Sequence, residues 1–142
     1  EESSGIHPHI DTDALTLLPP GLGKDVQIRP ANNTDWMSVG NTKDSVVANV
    51  GEMMEIWSGG RFTATPHKVR LSPGCSRYSF PYFVVPRHDV FISPLVEPAK
   101  KELLGPITAG ELSRRIWASN WTNARSVDSE FDPFVEEATN DC

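Results

Sequence analysis

Along the first hundred residues, short apolar and β-branched runs alternate with turn residues. The runs are Ala14 to Leu18, Val26 to Ile28, Ser45 to Val50, Lys68 to Leu71 and Tyr78 to Val85. The breaks are Pro19-Pro20-Gly21, Asn32-Asn33-Thr34, Gly40-Asn41, Ser58-Gly59-Gly60 and Ser72-Pro73-Gly74. Runs of this length bounded by Gly, Pro and Asn are strand signals, and several in succession predict an all-β sandwich or barrel. The 12 prolines suit edges and turns better than long helices.

The last third changes period. Thr108-Ala109-Gly110-Glu111 has the form of a capping box, with Thr108 as N-cap and Glu111 three residues on. Leu112 and Ile116 then fall four apart, as do Trp117 and Trp121. This spacing predicts one helix from about Ala109 to Trp121, with its tryptophan stripe packed into the core. Beyond it, Asp128 to Asp141 carries only acidic charge, broken by Phe131, Phe134 and Val135, and reads as a tail held by its aromatics. The expected organisation is a β core over residues 1–98, followed by a helix and acidic tail over 99–142.

Length and charge narrow the partners. A chain of 142 residues is one domain's worth. Its net charge of -6 argues against nucleic acid, because phosphate recognition needs a basic face. No apolar run reaches the ~20 residues of a membrane span, so no membrane partner is expected. Cys75 and Cys142 form no CxxC or CxxH pair, which excludes zinc-finger chemistry. Two isolated thiols fit a reducing compartment, and a cytoplasmic location is the expectation. The chain opens on Glu1-Glu2-Ser3-Ser4-Gly5 without an initiator Met, which reads as a fragment or a processed chain.

Candidate chemistry begins at His9-Ile10-Asp11. On a strand, residues two apart face the same way, so an imidazole and a carboxylate at this spacing can meet at one metal ion. A three-letter H-x-D is common by chance and is usually a surface pair. His7 could replace His9 as a ligand, and Asp13 could replace Asp11. Arg77-Tyr78-Ser79 is a second such pair. Arg77 and Ser79 would point into a barrel together, with Tyr78, Phe80 and Tyr82 facing away. An inward guanidinium needs a carboxylate partner, and its own strand offers none, so a bound acid would serve. His67 lies between the two motifs. Two His and one carboxylate make the facial donor set that leaves open positions on Fe(II). His88 and Asp89 fall in a turn beyond and read as solvated.

The blocks around these residues resemble a known family, the isopenicillin N synthase-like 2-oxoglutarate/Fe(II) dioxygenases. His9-Ile10-Asp11-Thr12-Asp13-Ala14-Leu15-Thr16-Leu17-Leu18 is similar to its H-x-D-x-x-x-L-T-L-L run. Val26-Gln27-Ile28-Arg29 resembles its G-L-Q-V-R strand, with Asp25-Val26 in place of Gly-Leu. Asp35 to Val39 resembles W-[IV]-x-V, and Asn49 to Ser58 resembles N-x-G-D-x-L-x-x-W-S with Glu52 for Asp. Gly60-Arg61-Phe62 through His67-Lys68-Val69 and Arg77-Tyr78-Ser79-Phe80-Pro81-Tyr82-Phe83 complete the series, which spans residues 9 to 95 in family order.

The resemblance implies a double-stranded β-helix, or jelly roll, with a C-terminal helix. It implies His9, Asp11 and His67 as ligands of Fe(II), and Arg77 and Ser79 as the pair that binds the distal carboxylate of 2-oxoglutarate. With O2, the cosubstrate would be decarboxylated to succinate and CO2 while a small organic substrate is hydroxylated or desaturated. No catalytic residue beyond the metal ligands is implied, and no substrate residue can be named. A family tyrosine, the first core strand and a helical N-terminal region lie upstream of H-x-D in relatives and have no counterpart here. A missing N-terminal segment of the same polypeptide is therefore the expected partner. Two alternatives stay open: an Fe(II) oxidase that does not use 2-oxoglutarate, and a truncated core that binds metal without catalysis.

Overall fold

The computed structural model describes residues 4–20, 25–40, 43–70, 78–96 and 107–120. In chain order the elements are β1 (Ser4–His9), β2 (Leu15–Leu18), β3 (Val26–Ile28), β4 (Met37–Ser38), β5 (Val47–Val50), α1 (Glu52–Trp57), β6 (His67–Arg70), β7 (Tyr82–Val84), β8 (Phe91–Ile92), β9 (Ile107–Thr108) and α2 (Ala109–Asn120). Four of the five apolar runs contain a strand, the run at Lys68 overlaps β6, and the run at Val26 to Ile28 matches β3 end to end.

The strands form two main antiparallel sheets, in orders β1-β6-β3-β4 and β5-β2-β7, with β8 and β9 as a separate pair. Inward residues of both sheets, among them Val26, Ile28 and Val69 on one and Leu18, Val47 and Val50 on the other, line a common interior. This is the jelly-roll arrangement, in which apolar positions of alternating strands hide between two layers. Pro8 stands in β1, which among the described residues is an edge strand and can spare the missing amide. The β1–β6 pairing slips twice, between Ser4 and Ile6 and between Ile6 and His9, so the strand reaches His9 through irregular pairing.

A buried apolar cluster lies outside the space between the two main sheets. Met53, Ile56, Ile92, Ile107, Ala109 and Leu112 form a buried cluster where α1, β8, β9 and α2 meet, with Trp57, Val90 and Ile116 against it. The interior between the sheets holds a cavity of about 330 Å3 instead. That division of labour leaves the barrel open for a ligand while a separate apolar plug holds one side together.

α2 has its expected start and apolar face. Thr108 Oγ1 accepts a hydrogen bond from the Glu111 amide at 3.2 Å, and Leu112 is 1% exposed. Trp117 departs from expectation: it is 55% exposed, because α2 turns that face away from the core cluster. Trp121, Cys75, Arg77 and the acidic tail lie outside the described residues. α1 has no counterpart in the expected elements. It spans six residues, too few for a helical period to register, and ends where Gly59 and Gly60 take up positive φ of 61° and 76°. Among the described residues no helix is long and apolar enough to cross a membrane.

Candidate metal and cosubstrate site

His9 and His67 are direct partners across the β1–β6 pair. Cross-strand neighbours bring their side chains together, and the two imidazole centroids lie 4.3 Å apart at an interplanar angle of 53°. His9 Nδ1 donates to the His7 carbonyl at 2.8 Å, and His67 Nδ1 donates to the Thr65 carbonyl at 3.2 Å. With Nδ1 engaged on both rings, Nε2 is left for another partner: a donor while the ring is protonated, and a lone pair for a metal once it is neutral. His7 serves this site through its backbone, its side chain being exposed.

Asp11 reaches the pair by a different route from the one expected. β1 ends at His9, so strand alternation does not place the carboxylate. The chain turns through residues 10–14, and successive amides at the start of α1 hold that turn. Gly51 N donates to Ala14 O at 3.1 Å, Glu52 N to Asp11 O at 2.9 Å and Met53 N to Asp13 O at 3.1 Å. These are donors that a helix start leaves without intrahelical partners. Gly51 is needed for so close an approach, since a Cβ there would overlap the carbonyl oxygen and Oδ1 of Asp13.

The result is a carboxylate with divided duties. Asp11 Oδ1 stands 3.5 Å from His9 Nε2 and 3.5 Å from His67 Nε2. Asp11 Oδ2 accepts from Thr16 Oγ1 at 2.5 Å and from Asn49 Nδ2 at 2.9 Å. Burial pushes the Asp11 carboxyl up, but hydrogen bonds from His9, Thr16 and Asn49 and the charge of His67 outweigh it, leaving a value of about 2. The bond to Asp11 raises the His9 pKa, whereas burial lowers that of His67. Asp13, 3% exposed, is pushed up to about 6 by burial, against a Thr16 hydrogen bond that lowers it and with Asp11 raising it further. Its Oδ1 has no hydrogen-bond partner. Asp13 shares the Thr16 hydroxyl with Asp11 but is not one of the converging donors. Thr16 and Asn49 lay within the sequence blocks, but nothing local marked them as supports of Asp11.

One ligand atom from each of His9, Asp11 and His67 lies within 4.8 Å of the others. Two imidazole nitrogens and one carboxylate oxygen match the donor set that suits Fe(II). All three residues border the inter-sheet cavity, whose wall also carries Ser79. Ser79 reaches it from residues 78–81, which precede β7 and are not strand, contrary to expectation. Its neighbours Tyr78 and Phe80 are 75% and 73% exposed, the outward placing predicted for them, although neither is in a strand. Arg77, predicted as Ser79's partner, lies outside the described residues. The turn holding His88 is exposed as expected, and Arg87 there makes two 3.1 Å hydrogen bonds to Asp89.

Known proteins bear on this arrangement. The model of the 2OG-Fe(II) oxygenase superfamily matches residues 1–86. The UPF0676 protein C1494.01 of Schizosaccharomyces pombe is 33% identical over 115 residues, covering 78% of this chain and 36% of its own. Gibberellin 2-beta-dioxygenase 8 of Arabidopsis thaliana is 31% identical over 91 residues, covering 64% of this chain and 26% of its own. The crystal structure of JOX2 in complex with 2OG, Fe and JA superposes with a TM-score of 0.68 at 26% identity, covering 80% of this chain and 34% of that one.

Two sheets enclosing a His-Asp-His cluster are the frame of a 2-oxoglutarate oxygenase fold, the double-stranded β-helix. The chain belongs to the 2OG-Fe(II) oxygenase superfamily, whose cofactors are Fe(II) and 2-oxoglutarate. It spans about a quarter to a third of the length of the relatives it matches.

Proposed function

We propose that this chain is the iron- and cosubstrate-binding core of an oxygenase that hydroxylates or desaturates a small organic molecule. The observation that carries this is the convergence of His9, Asp11 and His67 on the wall of an apolar cavity that also holds Ser79. In this reading His9 Nε2, His67 Nε2 and Asp11 Oδ1 hold Fe(II). Their Nδ1 bonds and the Thr16 and Asn49 bonds keep those atoms aimed before metal arrives. Bound there, Fe(II) supplies the redox chemistry that couples decarboxylation of 2-oxoglutarate, with O2, to oxidation of the substrate, releasing succinate and CO2.

The Ser79 hydroxyl and the Arg77 guanidinium bind the distal carboxylate of 2-oxoglutarate. The apolar walls from Leu18, Val26, Val47 and Val69 keep water from a carboxylate held at Ser79, which strengthens its bonds. A reducing, cytoplasmic setting suits both Fe(II) and the two isolated thiols.

The partner in this reading is a further segment of the same polypeptide. β7 pairs with β2 along one edge, and among the described residues nothing pairs with the other. Tyr82 is 67% exposed, as are Tyr78 and Phe80 before it at 75% and 73%. Such an edge is a template for one more strand. Slow amide exchange at residues 82–84 in the longer protein is the expected sign of it.

The deciding experiment is to supply Fe(II) and 2-oxoglutarate and measure succinate. Formation of succinate that depends on both supports the proposal. Substrate oxidation without succinate would make the protein an oxidase, and iron binding with neither would make it a non-catalytic core.

A further inference from the structure

A second cavity, of about 530 Å3, shares Ile6, His9, Asp11 and Phe83 with the first. It then leaves the inter-sheet space and runs between the 10–13 turn, the end of β7 and α2, where Ser113 and Trp117 border it. The two cavities therefore meet at the candidate iron ligands from different directions. A molecule in each would have its reactive end at the same place.

The lining of the second cavity carries a chemical message. Its apolar surface comes from Ile6, Ile10 and Val85 and from two aromatic rings, Phe83 at 51% and Trp117 at 55% exposure. Rings of that exposure, bordering a concave space, offer faces for another ring to stack on. Hydroxyl groups come from Thr12 and Ser113. The ionisable groups are the carboxylates of Asp11 and Asp13 and the imidazoles of His9 and His88, and no Lys or Arg borders the cavity among the described residues. With Fe(II) and the dianion 2-oxoglutarate in place, the centre at Asp11 keeps a net negative charge and Asp13 adds to it, so an entering carboxylate or phosphate would be desolvated with no guanidinium or ammonium among the described residues to pair with. A volume of this order suits a ligand of one or two fused rings.

The geometry points to a neutral aromatic molecule, stacked against Trp117 and hydrogen-bonded through a hydroxyl or carbonyl, as the substrate class. The assignment rests on the reading of His9, Asp11 and His67 as iron ligands, since only then does the cavity lead to the reacting centre. Trp117 is its specificity residue. It explains why α2 presents an indole away from the core cluster that its Leu112 and Ile116 complete.

The test uses two probes of nearly the same shape, 2-naphthalenemethanol and 2-naphthoate. Calorimetric titration is made anaerobically into the protein carrying Fe(II) and 2-oxoglutarate. The alcohol is expected to bind at least about tenfold more tightly than the acid, and Trp117→Ala to weaken the alcohol by about tenfold, the scale of one ring–ring contact. Trp117→Phe should keep most of the affinity, and equal thermal melts of the variants and the parent show that folding is intact. Tighter or equal binding of the naphthoate, no response to Trp117→Ala, or binding of neither probe overturns the substrate class. Succinate release is followed separately. Its absence counts against the oxygenase reading, whereas the order of probe affinities is read from heat alone.

Discussion

Asn49 donates a 2.9 Å hydrogen bond to Oδ2 of Asp11, although Asn49 sits on β5 and the two imidazoles sit on β1 and β6 of the other sheet. The carboxylate is thereby tied to both layers of the sandwich. Its free rotation about χ angles is spent in advance, with Oδ1 left facing the histidines.

Loosening that tie should weaken metal binding without removing a ligand. Supports of this kind are worth about 10- to 100-fold in metal affinity. Asn49→Ala and Thr16→Val should each lower Fe(II) affinity on that scale. Equilibrium titration with Fe(II) under argon checks this, and affinity equal to the parent would show that Oδ2 needs no holding.

Removing a donor is a different matter. Asp11→Ala and His67→Ala should abolish both stoichiometric iron and 2-oxoglutarate decarboxylation. Iron affinity in the parent should also fall as pH drops through the His9 pKa, which its bond to Asp11 raises above the ordinary 6.5. Asp11, at about 2, stays ionised throughout that range and does not contribute to the fall. Iron content after gel filtration across pH 5.5–8 and a succinate assay are the measurements.

The cosubstrate predictions turn on Arg77 and Ser79. A hydrogen bond to a charged group contributes about 1.5–3 kcal/mol, or roughly 10- to 150-fold in affinity. Arg77→Ala should raise the 2-oxoglutarate requirement by at least about tenfold, and Ser79→Ala by less. Arg77→Lys should restore only part, because an ammonium lacks the two-pronged fork. An unchanged requirement in Arg77→Ala would favour the oxidase alternative.

Asp13 imposes a pH-dependent cost on the metal-free fold. Its folded pKa of about 6 lies above the 3.8 of a free carboxyl, so the folded state holds the proton more tightly. Stability from this group is fully present below about pH 4 and is lost as pH rises through about 6, a loss of about 3 kcal/mol. Asp11 acts oppositely, its contribution disappearing only as pH falls toward about 2. Asp13→Asn cannot ionise. With chelator present it should melt above the parent at pH 7.5 and close to it at pH 4.

Gly51 tests the clamp between α1 and the 10–14 turn. A methyl group there meets backbone as well as side chain, so the turn must move. Gly51→Ala should lower the melting temperature and iron affinity together, and Gly51→Ala combined with Asp13→Ala should recover only part, because the Asp13 carbonyl remains in the way. A variant with parental melting and iron affinity would mean that the turn gives way freely.

Short-range pattern alone was enough for much of this protein. The apolar run at Val26 to Ile28 became β3, and the Thr108 cap with Leu112 and Ile116 became the start and buried face of α2, because propensity, capping and periodicity act within a few residues. His9, Asp11, His67 and Ser79 could be singled out by residue type, order and spacing. Their meeting was legible only through the family resemblance and not from local pattern, because it depends on a register between β1 and β6 that sets His9 opposite His67. Tertiary structure also took Asp11 off the strand, hung its turn on the amides of α1 and recruited Asn49 from the other sheet. It turned Trp117 outward although its spacing matched a core stripe. Those outcomes rest on contacts between segments far apart in the chain, whose side chains and backbone donors carry no local mark of the partner they will find.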